Sequence, residues 1–103
     1  MLAMPWFGVR TVFLHRSSPA QVYEERINVV QAESQDDAIV KAETIAKEHA
    51  DEAAEFLDYV DVFEMFDELA DGAEVFSLIR ESDLAPNAYI DKFAIGLKRN
   101  QKV

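Results

Sequence analysis

The chain predicts an α+β domain in the order β-β-α-β-β-α, with a four-stranded antiparallel sheet, one main helix on a face and a short C-terminal helix. Three observations carry this. Residues 6–16 and 21–32 are rich in β-branched and aromatic types and are separated by Ser17-Ser18-Pro19, a hairpin pattern. Residues 34–49 place apolar side chains at helical spacing behind a capping serine. A second β-rich pair, 59–66 and 73–80, flanks the turn dipeptide Asp71-Gly72. The length of 103 residues, half of them apolar and 29% charged, suits one globular domain with a modest core.

In the first strand, Phe7, Val9, Thr11 and Phe13 alternate with Trp6, Gly8, Arg10, Val12 and Leu14. Both sets are largely apolar, which predicts a central strand covered on both sides. In the second, Tyr23, Ile27 and Val29 form the more apolar face, interrupted by Glu25, and Glu24, Arg26 and Asn28 form the other. The helix opens at Ser34, with Asp36 and Asp37 in its first turn, where the helix dipole favours negative charge. Its buried stripe reads Ala38, Ile39, Ala42, Ile45 and Ala46, with His49 at the end. Three alanines on that stripe let a helix lie close against a sheet.

Between residues 51 and 71 an acid recurs about every third position, a spacing that fits neither a helix nor a strand. Composition gives residues 51–57 to a stretch that extends or follows the helix and 59–66 to a third strand. The fourth strand, 73–80, places Val75, Ser77 and Ile79 on one side. Pro86 starts a final helix to Phe93 with Tyr89, Ile90 and Phe93 as its apolar positions, and Gly96 suits its end. The domain is therefore residues 1–96, followed by a basic flexible tail, 97–103. One helix cannot cover both faces of four strands. The second face requires the C-terminal helix, a ligand or a partner, and a homodimer is the preferred solution.

Composition excludes several classes of function. The chain has no cysteine, which removes disulfides, thiolate metal sites and a cysteine nucleophile. Three glycines are too few for a phosphate-cradling loop. Twenty acids against ten bases, net −10, oppose nucleic-acid binding. The 11 aromatic residues are interleaved with acids rather than bases, which suits core packing instead of base stacking. No apolar run is long enough for a membrane span. Residues 1–9 lack a signal-peptide pattern, so a cytoplasmic protein is expected. Asp67 to Gly72 ends like a calcium loop but has Leu69 and Leu78 where oxygen ligands are needed. His15 and His49 read as a strand terminus and a helix end, with no metal-ligand spacing. No metal, cofactor or catalytic residue is expected.

The charged residues inside strands are the candidate site. An interior-facing charge costs several kcal/mol unless paired, so Arg10 requires a partner, and Glu24 or Arg26 across the hairpin is the natural one. Arg10, Glu24, Glu25, Arg26 and Arg80 form either a salt-bridge ladder or a cleft for an anionic ligand.

Five stretches follow one another in order: Trp6-Phe7-Gly8-Val9-Arg10, Tyr23-Glu24-Glu25-Arg26, Ala32-Glu33-Ser34 with Asp37-Ala38, Val62-Phe63-Glu64, and the run from Asp71 to Arg80. Their order and spacing, over most of residues 6–83, resemble the bacterial domain-of-unknown-function family 4288. The resemblance implies one compact α+β domain in a cytoplasmic bacterial protein, and it brings no activity. The family's recurring polar positions map onto Arg10, Glu24, Glu25 and Arg26, which overlap the set reached from burial.

Two functions compete. The first is a non-enzymatic binding or assembly module, homodimeric, whose acidic surface meets a basic protein partner, as an immunity or antitoxin-like protein would. The second is a small domain, or an enzyme, that takes an anionic ligand through the Arg/Glu cluster. The charge is uneven: residues 51–83 hold twelve acids and one base, and from Lys92 onward there are four bases and no acid.

Overall fold

Strand β1 (Trp6–His15) lies at the centre of a three-stranded antiparallel sheet, between β2 (Val22–Gln31) and β3 (Ala54–Glu64). Helix α1 (Gln35–His49) covers one face, and helix α2 (Pro86–Asn100) ends the described chain. The computed structural model describes residues 4–16 and 19–100, with 94–100 described by their helical backbone alone. Ser17 and Ser18 of the expected hairpin turn, and residues 101–103 of the expected tail, lie outside the described residues.

The central position of β1 follows from its two apolar sides. Phe7, Val9, Thr11 and Phe13 are buried under α1, and Gly8 and Leu14 are buried on the opposite side. Burying a large apolar side chain contributes roughly 1.5–3 kcal/mol, and Phe7, Val9 and Phe13 are the largest fully buried ones. The expected alanine stripe packs as read: Ala38, Ala42 and Ala46 are buried, with Ile45 beside the core. Ser34 Oγ accepts the Asp37 backbone N–H at 3.1 Å, closing the helix N-terminus.

The α+β class and the antiparallel sheet hold, but the sheet has three strands, not four. Residues 73–80 form no strand; the segment meets a face of the sheet through Val75 and Phe76 instead of joining its edge. The crossing point is Gly8: a Cβ there would lie 1.5 Å from the Val75 carbonyl oxygen. Val75 and Phe76 are half-buried at this crossing, whereas Leu78 and Ile79 stay exposed, Ile79 at 91%, so only the start of the segment forms a strap on the sheet. Gly72, at φ 83°, makes the expected turn before it, and Ala73 N–H donates to the Ala70 carbonyl at 3.0 Å.

Two boundaries also differ from expectation. Residues 51–57 do not extend the helix. Ala50 is already extended, and Asp51 Oδ1 accepts the backbone N–H groups of Ala53 and Ala54 at 2.8 Å each, which turns the chain into β3. The acid spacing that fitted neither period is partly explained by a bulge. Thr11 pairs with Val60 and Phe13 with Phe56, so Val12 alone stands opposite residues 57–59, and Asp58 takes φ 60°. At the C-terminus, α2 continues through Gly96 to Asn100, so residues 97–100 of the expected tail are helical. Among the described residues no helix is long and apolar enough to cross a membrane.

Candidate functional site

Strand alternation divides the charged residues of β2 between the two faces. Arg10 stands opposite Ile27, which puts Glu25 on its side of the sheet. Phe13 stands opposite Glu24, which puts Glu24 and Arg26 on the α1 side. The expected single cleft is thus two clusters on opposite faces, and neither Glu24 nor Arg26, the expected partners of Arg10, lies on its side.

On the outer face, away from α1, Arg10 is the hub. Its Nη1 donates to Glu25 Oε1 at 2.9 Å, and its Nη2 to Asp61 Oδ2 at 3.3 Å and the Tyr59 hydroxyl at 3.5 Å. The guanidinium also lies 5.7 Å from the ring centres of both Tyr59 and Phe76, the latter on the strap. Burial pulls the Arg10 pKa down, but the Tyr59 hydroxyl and the charges of Glu25 and Asp61 outweigh it, and the net shift is upward. Among the described residues the buried Nε–H finds no hydrogen-bond partner. Beside this hub, Arg10, Val12, Glu25, Leu57 and Tyr59 line a groove of about 320 Å³. Tyr23 and Ile27, 57% and 50% exposed, continue the same face along β2. The side of β2 that the sequence marks as more apolar therefore points away from the helix.

On the helix face, Glu24 is the hub. Its Oε1 lies 2.9 Å from His15 Nε2 and 3.1 Å from His49 Nε2, and its Oε2 lies 3.5 Å from Arg26 Nη1. An ionised carboxylate only accepts, so each imidazole presents Nε2–H to it. Arg26 Nη1 also approaches His49 Nε2, at 3.4 Å, but that nitrogen is already committed as a donor. Phe13 packs edge-on to His49 with ring centres 4.8 Å apart, which fixes the imidazole plane. The hydrogen bond from His15 is the largest influence lowering the Glu24 pKa. Partial burial opposes it, and His49 and Arg26 add to the lowering.

Arg80 belongs to neither cluster. It is exposed, and its guanidinium lies 4.5 Å from the ring centre of Phe93 in α2. Sequence reasoning missed both histidines and Tyr59. The signal that could have found the histidines is hairpin register, because pairing Phe13 with Glu24 sets His15 diagonally beside that carboxylate. Among the described residues no group of three His, Asp or Glu side chains is arranged to hold a metal ion.

The family model described as Domain of unknown function (DUF4288) matches residues 6–77. The chain belongs to this family. The DUF4288 match covers the whole sheet, α1 and the start of the strap, and so includes both clusters, while Arg80 and α2 lie beyond it. The comparison with curated proteins gives no match, and neither does the comparison with solved structures.

Proposed function

We propose that this DUF4288 protein is a non-enzymatic assembly module whose working surface is the outer face of the sheet, and that it pairs there with a second copy of itself. One observation carries the reading. The strap covers only the Gly8 end of that face, which leaves Tyr23, Ile27, Leu57 and Tyr59 exposed around the Arg10 groove. An exposed apolar patch rimmed by paired charges is the surface pattern of a protein–protein interface. A two-fold pair would bury the same patch from both copies at once.

Binding of a small anion is less well supported. Arg10 is already held by Glu25 and Asp61, and Arg26 already faces Glu24, so an anion would have to displace carboxylates.

Light scattering on two full-length variants tests the reading. Ile27→Asp charges the outer face, whereas Val40→Asp charges an equally exposed apolar position on α1. The expected result is a dimer for the unmodified chain and for Val40→Asp, and a single chain for Ile27→Asp. A single-chain mass for all three would overturn it.

A further inference from the structure

The outer face is not the only apolar surface without a partner. Among the described residues α2 packs against none of β1, β2, β3 or α1. Tyr89, Ile90 and Phe93 lie on one side of it, and Ile90 and Phe93 stay substantially exposed. The radius of gyration is 16.0 Å, whereas a packed chain of about 100 residues has about 13 Å. An isolated helix of 15 residues is marginal in water and gains its stability by laying an apolar side on another surface. Among the described residues, then, the apolar side of α2 meets the Arg80 guanidinium but no strand or other helix, and the outer sheet face is covered only where the strap crosses it.

We propose that α2 is an exchange arm, which docks its Tyr89, Ile90 and Phe93 side on the open outer face of a second copy. The inference rests on the assembly reading above and names what fills the face. Three features support it. The dimensions fit, because 15 helical residues span about 22 Å, shorter than the roughly 33 Å of a 10-residue strand. The charges are complementary. From Lys92 onward the sequence has four bases and no acid, while the 51–83 segment that supplies β3 and the strap holds twelve acids and one base, and Glu25, 58% exposed beside its Arg10 partner, lines the groove. The strap already occupies the Gly8 end of its own sheet, and the helix that follows stands clear of that sheet. Exchange between two copies closes by symmetry, since each gives one arm and receives one.

The absence of native cysteine makes disulfide trapping clean. Full-length chains carrying Ile27→Cys or Phe93→Cys, distinguishable by mass, are mixed and mildly oxidised, beside a third chain carrying both substitutions. The expected products are a mixed pair holding one of each chain, and linked dimers of the double variant. Both should diminish in high salt. A double variant that closes within one chain would overturn the inference in favour of an arm folded on its own sheet. Linkage only between two Ile27→Cys chains would also overturn it, while leaving the sheet face as an interface. No linkage, together with a single-chain mass, would overturn both readings.

Discussion

Glu24 shows how much one side chain can organise. Three cationic or potentially cationic groups converge on it, and the hydrogen bonds from His15 and His49 with the charge of Arg26 hold its pKa below the ordinary 4.5. A carboxyl group with a depressed folded-state pKa contributes stability that is present above the ordinary value and lost as pH falls through the folded value. Thermal melts across the acid range should therefore show the unmodified protein losing stability more steeply than Glu24→Gln below about pH 4.5. Parallel curves would contradict that role. On the other face, Arg10 is 15% exposed and Glu25 58%. Removing the covered partner leaves Asp61 and the Tyr59 hydroxyl without their cation, whereas removing the exposed one relieves a solvated pair. Chemical denaturation should show Arg10→Met costing about 1–3 kcal/mol and Glu25→Gln under about 1 kcal/mol. Composition and burial were enough to single out Arg10, Glu24, Glu25 and Arg26. Which of them meet was not legible, because consecutive strand residues point to opposite faces and only the register says which.

Among the elements, β1 and α1 were legible because local and tertiary signals agree: a strand apolar on both sides, and a capped helix with an alanine stripe. The fourth strand was not. Its composition is β-like, but strand pairing needs a free edge in register, and Val75 and Phe76 instead lie on Gly8. The role of Gly8 makes the strap testable. Gly8→Ala would force the Val75 carbonyl away and cost about 1–3 kcal/mol by overpacking. Gly72→Ala meets open space and should cost only the strain of its positive φ, about 1–2 kcal/mol. The two are distinguishable in Phe76, whose ring lies 6.2 Å from that of Phe63, the residue opposite Gly8, and against the Arg10 guanidinium. Gly8→Ala should shift the NMR resonances of both phenylalanines and Gly72→Ala should not. A silent Gly8→Ala would remove the strap from the account. The start of β3 was hidden for a different reason. Residues 51–57 have helical composition, and the Asp51 side chain turns the backbone before that preference can act.

At the scale of the whole molecule, the net charge of −10 is an average over unlike parts. The acidic stretch 51–83 becomes an edge strand and the strap, and the basic end becomes a helix standing off the body. Charges along β3 also blunt an exposed sheet edge against uncontrolled pairing. That leaves the outer face of the sheet as the surface on which copies of the chain would meet. The sequence pointed to this need, since one helix cannot cover two faces, but not to the open end of the face or to the detached helix. Sedimentation equilibrium of the unmodified full chain, over a micromolar concentration series at low and high salt, is the most direct test. The mass should rise towards two chains with concentration and fall back as salt is added. A mass of one chain at every concentration, with no response to salt, would contradict it.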